Sequence, residues 1–506
     1  MTPAIELTGI EKRFGPVRAN RDVGLSVAQG SIHGIVGENG AGKSTLMSII
    51  YGFYEADAGE IRVAGKLSRI RSSKEAITLG IGMVHQHFML VEPLSVIENV
   101  MLGAEGGALI APGERALRLK LKQLARDYGL AVDPDAKVGD LPVGLQQRVE
   151  ILKALVRGAN ILILDEPTAV LTPAEADQLF AMLRVLKSEG KTILLITHKL
   201  REILHVTDKV SVMRAGEMVA HFDTAATSAA ELADAMVGRK VLLRVDKTPA
   251  RPGKILLEAR DLVVRDTQGI ARLDQVSLSL HAGEIVGIAG ISGNGQSELL
   301  EALAGLLPLA SGEILFEGAK LGAEQRNPKA LRRLGLMHVP EDRHRRGLVM
   351  SFEASESAML GFQDDPAFGG LLFNRRAIIR DCAEKMDMFD VRPRAPRLKS
   401  ASFSGGNQQK IVLAREIERD PKVLVVGQPT RGVDIGAIEF IHKKLVALRD
   451  QGKAILVVSV ELDEIMALCD RIIVMCGGRI TGERLPAQTS ERDLGLLMAG
   501  VTERAA

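Results

Sequence analysis

The strongest constraint on the fold is an internal repeat the size of a whole domain. The two copies match at equivalent positions, which pair Lys43 with Gln296, Asp165 with Gly427, and His198 with Val460. One duplication of this size predicts two domains of the same plan, because an array of short repeats would recur many more times. The junction falls at residues 241–253, a linker rich in charge, proline and glycine, so we expect domains at 1–240 and 254–506.

Each half alternates short apolar runs with amphipathic stretches. The runs at 161–165 (ILILD) and 192–196 (TILLI) predict buried strands of a largely parallel sheet. The segment after Thr172 predicts a helix, because Pro173 suits a first helical turn and Glu175 completes a capping box with that threonine. The predicted fold class is α/β in both halves.

The composition argues against several classes of protein. The net charge of +2 over 506 residues lacks the basic excess of a nucleic-acid binder. Cys382, Cys469 and Cys476 form no CxxC pair, so we expect neither a disulfide framework nor a zinc site, as in a reducing cytosol. No uncharged apolar run reaches the roughly 20 residues that cross a bilayer, and the N-terminal stretch lacks the order of a signal peptide. We therefore expect no nucleic-acid partner and no membrane span in this sequence.

Residues 37–44, GENGAGKS, have the pattern of a phosphate-binding loop between a predicted strand and a predicted helix. The glycines let the backbone curl and direct N–H groups toward phosphate oxygens. Lys43 would place a cation on the terminal phosphates, and Ser44 would ligate Mg²⁺. The pattern predicts a nucleotide site.

Residues near the predicted strands complete the chemistry of the first half. Asp165 would hold hydrated Mg²⁺, and Glu166 beside it would polarise water as a general base. His198 follows another apolar strand and would bond the γ-phosphate and hold the attacking water. Gln86 would reach the metal or the water, and Phe14 would stack on adenine.

The second half has lost these groups but keeps a motif that the first half lacks. Gln296 stands in place of the loop lysine, and Gly427 and Gln428 in place of the two carboxylates. The signature SGGN at 404–407 is intact, whereas its counterpart at 142–145 reads PVGL. If each site takes its phosphate loop from one half and its signature from the other, one site is complete. The other site then has neither a metal carboxylate nor a base.

These motifs in this order resemble the ATP-binding subunits of ABC transporters, and the resemblance covers essentially the whole chain. The family implies two fused ABC-type nucleotide-binding domains in a head-to-tail sandwich, each a P-loop α/β core with a helical subdomain. SFSGGNQQK and VPEDRHRRGLV are similar to second-half motifs of bacterial importers for simple sugars and nucleosides. HQHFMLVEPLSVIENV, VGLQQRVEILKAL and GISGNGQSEL look closest to the nucleoside branch.

The resemblance implies a motor subunit that hydrolyses ATP with Mg²⁺ at the cytoplasmic face of the cell membrane. The implied partners are two transmembrane permease subunits and, indirectly, a periplasmic or lipoprotein substrate receptor. The solute site would lie on those partners, so a nucleoside and a simple sugar both fit. One alternative is a soluble tandem ATPase acting on ribosomes, although such proteins usually keep two intact sites and a long charged linker. A DNA-repair ATPase would need zinc-type cysteine pairs, which the sequence lacks.

The expected functional residues form three overlapping sets. The expected catalytic residues are Lys43, Gln86, Glu166 and His198, and the expected metal ligands are Ser44, Gln86 and Asp165. The residues expected to bind the nucleotide are Phe14, Gly37, Glu38, Asn39, Gly40, Ala41, Gly42, Lys43, Ser44, Thr45, Ser404, Gly405, Gly406 and Asn407. Two further segments are interpreted structurally. The basic cluster 343–346 is interpreted as a solvated loop, with contact to the permease or to lipid headgroups as the alternative. The apolar stretch 88–100 is interpreted as mostly core, with a few positions in a groove for a permease helix.

Overall fold

The structure is a computed structural model that describes residues 2–15, 17–85, 88–102, 110–168, 171, 173–197, 199–241, 247–291, 293–370, 372–433 and 435–501. The chain divides into two compact units, Met1–Val241 and Leu242–Ala506. Each unit contains two sheets and a set of helices, so the predicted α/β class is confirmed.

The first unit contains one antiparallel and one mainly parallel sheet. Its strands are β1 (Pro3–Phe14), β2 (Val17–Ala28), β3 (Ile32–Val36), β4 (Ala58–Val63), β5 (Lys66–Ser68), β6 (Ile81–Val84), β7 (Ile161–Asp165), β8 (Thr192–Ile196), β9 (Lys209–Arg214) and β10 (Glu217–Asp223). The antiparallel sheet has the order β2-β1-β4-β5, and the other has the order β10-β9-β3-β8-β7-β6. In the second sheet only the pair β9–β10 is antiparallel. Strands β3, β7 and β8 are buried along their whole length, as their apolar sequences predict.

The helices of the first unit fall into a core set and a subdomain. They are α1 (Lys43–Ile50), α2 (Ser73–Thr78), α3 (Val96–Met101), α4 (Ile110–Tyr128), α5 (Val143–Val156), α6 (Pro173–Ser188), α7 (Leu200–Val206) and α8 (Ala229–Val237), with 3₁₀ turns at Val138–Asp140 and Thr224–Ala226. Helices α3, α4 and α5 pack on one another and form the helical subdomain. A capping box of Ser95 and Glu98 begins α3. Helix α6 begins at Pro173 as predicted, while its expected cap, Thr172, lies outside the described residues.

The second unit repeats the sheet order of the first. Its strands are β11 (Ile255–Arg265), β12 (Ala271–His281), β13 (Glu284–Ala289), β14 (Ser311–Phe316), β15 (Ala319–Lys320), β16 (Leu336–Val339), β17 (Val423–Gly427), β18 (Ala454–Val458), β19 (Arg471–Cys476) and β20 (Arg479–Arg484). The sheets have the orders β12-β11-β14-β15 and β16-β17-β18-β13-β19-β20. Strand for strand, these orders match those of the first unit, which is the structural form of the sequence repeat.

The helices of the second unit follow the same plan. They are α9 (Gln296–Leu303), α10 (Pro328–Leu334), α11 (Ala354–Met359), α12 (Arg375–Met388), α13 (Gly405–Ile417), α14 (Ile435–Asp450), α15 (Leu462–Leu468) and α16 (Glu491–Met498). A π-helical turn spans Arg343–Gly347, and 3₁₀ turns span Ala323–Gln325, Pro366–Phe368, Ser400–Ser402 and Pro486–Gln488. Helices α11, α12 and α13 pack on one another as the second helical subdomain.

The apolar stretch 88–100 is only partly core. Its second part enters α3, where Val96, Ile97 and Val100 are buried. Its first part lies at the surface, with Met89 61% and Val91 43% exposed, so the prediction of a mostly buried stretch is wrong there. Among the helices that the structure describes, none is both long enough and apolar enough to cross a bilayer.

Candidate active site

The predicted phosphate loop lies between β3 and α1, and its backbone requires glycine. A Cβ atom at Gly37 would lie 2.2 Å from the carbonyl oxygen of Met213. At Gly42 a Cβ atom would lie 2.2 Å from the carbonyl oxygen of Ala19, and φ is +99°, a left-handed value that disfavours side chains. The loop therefore passes closer to neighbouring backbone than any other residue type permits. Its curled backbone ends at the N-terminus of α1, where N–H groups favour an anion.

Lys43 lies over this loop. Its side chain is 6% exposed, and Nζ donates to the carbonyl oxygens of Gly37 at 2.7 Å and Glu38 at 3.0 Å. Burial lowers the pKa of Lys43, while the carboxylates of Glu166 and Asp165 act in the opposite direction. The ammonium group is thus held beside the loop and near Glu166, the expected base, and Asp165, the expected metal ligand.

Asp165 ends β7 and accepts a hydrogen bond from the hydroxyl of Ser44. Burial raises the pKa of Asp165, as does the neighbouring charge of Glu166, whereas Ser44 and Lys43 lower it. The two predicted metal ligands Ser44 and Asp165 are therefore adjacent. Both offer oxygen atoms, which Mg²⁺ prefers.

Glu166 adopts a backbone conformation that is rare for a residue other than glycine. Its φ is +47°, and its N–H donates to the carbonyl oxygen of Ile196, at the end of β8, at 2.8 Å. A strained residue that the surrounding sheet holds in place is a frequent feature of functional sites. The predicted base thus follows directly on the predicted metal ligand, at the carboxyl edge of the parallel sheet.

Two predicted members of the site, Gln86 and His198, lie outside the described residues. The neighbouring strands are described: β6 ends at Val84 and β8 ends at Ile196, in each case two residues earlier in the chain. The roles of these two side chains remain predictions.

Phe14 has an aromatic neighbour that the sequence analysis missed. It ends β1 and is 43% exposed, as a base-stacking residue must be. The ring of Tyr54, from the segment after α1, lies edge-on to it with 5.1 Å between ring centroids, and Nζ of Lys12 lies 5.7 Å from the Phe14 centroid. The aromatic surface at this position is therefore a pair of rings. No local pattern links Phe14 and Tyr54, because only the fold brings them together.

The intact signature begins α13 in the second unit. Ser404 is the N-cap residue, and its hydroxyl oxygen accepts from Nδ2 of Asn407 at 2.9 Å. Oδ1 of Asn407 in turn accepts from the backbone N–H of Arg392 at 2.8 Å. Because the Ser404 oxygen is held as an acceptor, its own O–H points away from Asn407. Ser404, Gly405, Gly406 and Asn407 together form a helix N-terminus of the kind that favours anions.

Arg343 supports this signature and does not lie in a solvated loop, so that prediction is wrong for this residue. Its Nη1 donates to the carbonyl oxygen of Arg431 at 2.7 Å, and a Cβ atom at Gly405 would lie 2.6 Å from its Nη2. Burial is the main reason that the pKa of Arg343 is lowered. The last member of the cluster, Arg346, pairs with Glu301 at 3.0 Å. Gly405 is thus the residue that leaves room for a guanidinium beside the signature.

The counterpart of the signature in the first unit has no equivalent capping group. Pro142 is the N-cap residue of α5 and makes no side-chain hydrogen bond there. A Cβ atom at Gly144 would lie 2.6 Å from Oε1 of Glu175. The helix start is retained, but the hydroxyl that Ser404 provides is replaced by a proline ring.

The second unit keeps the strand-end backbone without the catalytic side chains. Gln428 has φ of +47°, the same value as Glu166, and its N–H donates to the carbonyl oxygen of Val458 at 2.7 Å. The side-chain oxygen of Gln428 accepts from the N–H of Val460 at 3.3 Å. One prediction needs correction: a carboxylate is present here, because Oε2 of Glu341 accepts from Oγ of Ser297 at 2.5 Å. The two strand-end positions, Gly427 and Gln428, have both lost their carboxylates.

The residues of the first unit fit a nucleotide with its metal. The loop N–H groups and Lys43 suit phosphate oxygens, and Ser44 and Asp165 supply oxygen ligands for Mg²⁺. Glu166 is the side chain that could accept a proton from water. This donor set is typical of phosphoryl transfer, in which positioning and charge stabilisation provide most of the rate enhancement.

Comparison with known proteins agrees with this geometry. Residues 20–169 and 273–431 match the family model described as ABC transporter. The two matched segments together make up more than half of the chain, and each contains one of the two phosphate loops.

Relatives that align over nearly the whole chain narrow the family assignment to import ATP-binding proteins. The chain is 47% identical over 499 residues to the nucleoside import ATP-binding protein NupA of Lactococcus lactis subsp. cremoris, with 98% of each chain covered. It is 45% identical over 507 residues to the guanosine import ATP-binding protein NupO of Bacillus subtilis, covering 100% of this chain and 99% of the relative. The archaeal ribosome recycling factor aABCE1 aligns with 97% of this chain and 92% of its own, at a TM-score of 0.63 and 19% identity, which shows a shared fold alone. The chain therefore belongs to the ABC transporter family, in its group of tandem import ATP-binding proteins, and it is an ATPase.

Proposed function

We propose that this ATPase drives nucleoside uptake and that it hydrolyses ATP at one site only. The observation that carries the proposal is the contrast between the units. The cation and the two strand-end carboxylates of the first unit have uncharged replacements in the second, namely Gln296, Gly427 and Gln428. Without a base and a loop cation, the second unit lacks the groups that hydrolysis requires.

We assign the complete site to the phosphate loop of the first unit and the signature 404–407 of the second. The reciprocal erosion supports this pairing, because each unit has kept only the motif that the other has lost. Gln86, His198 and Phe14 belong to the same proposed site.

The side chains of this site have separate tasks. Bound MgATP supplies the phosphoanhydride bond whose hydrolysis powers the cycle. Lys43 offsets the charge of the terminal phosphates, and Asp165 with Ser44 holds the metal. The carboxylate of Glu166 takes a proton from the attacking water. Ser404 donates its hydroxyl hydrogen to the γ-phosphate oxygen, where charge develops in the transition state.

We propose a nucleoside as the solute, two transmembrane permease subunits as direct partners, and a periplasmic or lipoprotein receptor as an indirect one. The names of the two relatives, a nucleoside and a guanosine import protein, support the solute class. The exposed apolar side chains of Met89 and Val91 support a partner surface on the first unit. With such partners the chain would act at the cytoplasmic face of the cell membrane.

The test is co-expression of this chain with any pair of permease genes found beside its own gene, followed by reconstitution into proteoliposomes with the receptor. We expect uptake of radiolabelled guanosine that depends on ATP on the side of this chain and is lost in the Glu166→Gln variant. Labelled ribose serves as the competing solute. Uptake of ribose without guanosine would overturn the solute class. Failure of the chain to co-purify with the permeases, together with sedimentation on ribosomes, would overturn the importer assignment.

A further inference from the structure

Two adjacent and strongly exposed apolar side chains form the tip of the loop that joins the 3₁₀ turn Pro366–Phe368 to α12. Leu372 is 86% exposed, more than any other large apolar side chain that the structure describes, and Phe373 is 56% exposed. Exposed apolar side chains that adjoin each other, unlike scattered single ones, indicate a surface that contacts another molecule or a membrane. We call these two residues the tip.

The loop that carries the tip is held in shape from its base. Phe368 is 2% exposed, and its carbonyl oxygen accepts from the N–H of Asn374 at 2.7 Å. Asn374 is also the N-cap residue of α12, where its side chain accepts from the N–H of Ala377 at 3.1 Å. Gly369 has φ of +114°, and a Cβ atom there would lie 2.3 Å from the carbonyl oxygen of Leu372. A fixed turn therefore presents the tip to solvent.

Two arginines of α12 follow directly after the tip. Arg376 and Arg380 are exposed, and neither side chain makes a hydrogen bond or an ion pair with any residue that the structure describes. Because residues four apart in a helix are neighbours on one face, both guanidinium groups belong to the same face of α12. The first arginine of the helix, Arg375, instead pairs with Glu353 at 3.0 Å. Two exposed cations beside the tip thus lack an anionic partner within the described part of the chain.

The acidic residues around the loop do not neutralise these two cations. The sequence from 366 to 380 contains three arginines and no acidic residue. The aspartates on either side pair with other cations: Asp364 with Lys329, Asp365 with Arg419, and Asp381 with Lys385. Along α12, the nearest carboxylate outside any ion pair between described residues is Glu384, a full turn beyond Arg380. The tip and the start of α12 therefore carry a local positive charge.

We propose that the tip and the start of α12 dock on an anionic membrane surface, with Leu372 and Phe373 in the bilayer interface and Arg376 and Arg380 on lipid phosphates. Apolar side chains next to cations are the combination by which peripheral segments bind membranes that contain anionic lipids. Two side chains of each kind give a weak and reversible attachment, so the contact orients the second unit on the membrane and does not anchor it. This inference goes beyond the proposed function, because it requires neither a permease nor a transported solute.

A single tryptophan can report directly on the tip, because the natural sequence contains none. Phe373→Trp places an indole at the tip of the full-length chain, and Leu67→Trp, at a position 62% exposed in the first unit, is the matched control. The vesicles contain phosphatidylglycerol and phosphatidylcholine in equal parts. We expect these vesicles to shift the emission of Phe373→Trp to shorter wavelength, and brominated acyl chains to quench it, because the indole leaves water for the interface. The emission of Leu67→Trp should not change.

Flotation with the same vesicles measures what the two arginines contribute. Arg376→Gln combined with Arg380→Gln should lower the partitioning of the chain roughly tenfold or more, because each cation near an anionic surface contributes about fivefold. Arg69→Gln combined with Arg71→Gln is the matched control, since it removes the same charge from two exposed arginines that pair with Glu55 in the first unit. This control should partition like wild type.

Three outcomes would overturn the proposal. The first is an emission of Phe373→Trp that does not respond to the anionic vesicles, and the second is equal partitioning of the two double variants. The third is a double variant at Arg376 and Arg380 that keeps vesicle binding and no longer co-purifies with the permeases, because the patch would then bind protein. None of the vesicle measurements involves transport, so an error in the proposed solute class would leave them unaffected.

Discussion

The loops before α1 and α9 have left-handed glycines at matching positions, with φ of +99° at Gly42 and +100° at Gly295. At the strand ends, Glu166 and Gln428 both have φ of +47°. What differs is the charge carried by the side chains. The backbone geometry is held by sheet neighbours and close packing, so it survives the loss of catalytic groups. A unit can therefore keep the backbone of a phosphate loop after it has lost the catalytic side chains. A phosphate loop in a fold does not by itself indicate a site of hydrolysis.

Converting the first loop to the chemistry of the second should have the largest effect. Lys43→Gln removes the loop cation while keeping a donor of similar length, as Gln296 does. We expect ATP turnover to fall by about 10²–10³-fold, the range for loss of one preorganised transition-state donor. Steady-state phosphate release by the assembled transporter measures this. Turnover within a factor of about three of wild type would show that the difference between Lys43 and Gln296 does not separate an active loop from an inactive one.

The reverse substitution, in the loop of the second unit, tests the same difference between the two loops. Gln296→Lys restores a cation to the second loop, where the absence of a side chain at Gly290 leaves room for residue 296, since a Cβ atom there would lie 2.3 Å from Nε2 of Gln296. We expect tighter nucleotide binding by the second unit, because a charged donor forms a stronger hydrogen bond to phosphate than a neutral one. Turnover should not rise, since no base is restored at Gln428. A measurable second turnover in this variant, with Glu166→Gln present to silence the first unit, would show that the second unit is competent.

The signatures provide the next contrast. Ser404→Ala should slow turnover about ten- to a hundredfold, because it removes a hydrogen bond to a charged phosphate, worth roughly 1.5–3 kcal/mol. Pro142→Ser in the first unit should change the rate little, since that signature faces an eroded site in the proposed pairing. Both rates come from the same phosphate-release assay. A silent Ser404→Ala with a severe Pro142→Ser would reverse the pairing of motifs.

The smallest effect is expected at the aromatic position. Phe14→Ala should raise the dissociation constant for ATP about two- to tenfold, because aromatic pairs contribute about 0.5–1.5 kcal/mol beyond their buried area. Thr267→Ala, at the corresponding position of the second unit, should leave the constant unchanged. Titration with a fluorescent ATP analogue gives both values. An equal increase of the dissociation constant in the two variants would mean that Phe14 does not stack on the base.

The sequence predicted the parts of the molecule that depend on local pattern. The apolar runs at 161–165 and 192–196 became β7 and β8, because a strand buried on both faces has a continuous apolar sequence. The phosphate loop could be predicted because few other structures have this spacing of glycine, lysine and serine. The place of Asp165 and Glu166 at the end of such a strand is confirmed, and their roles remain predictions.

The features that the sequence analysis missed depend on tertiary structure. Tyr54 meets Phe14 only because the segment after α1 returns to the end of β1. The repeat pairs Glu341 with Gln86 and places it in the second site, but it does not show that the Glu341 carboxylate accepts a hydrogen bond from Ser297. Arg343 stands in a basic cluster that is typical of a solvated surface, yet Gly405 leaves a space for its guanidinium. These contacts depend on how the folded chain brings distant segments together, or on the space that a glycine leaves beside a larger side chain.

One pair of substitutions at equivalent positions tests whether the first unit alone hydrolyses ATP. Glu166→Gln and Gln428→Ala each change the residue at φ of +47° that follows a strand end. In the assembled transporter, phosphate release by Glu166→Gln should fall at least about 10²-fold while ATP binding is retained, because only the base is lost. Gln428→Ala should keep a rate close to wild type. If Glu166→Gln retains more than half of the wild-type rate, a second site hydrolyses ATP and the account is wrong.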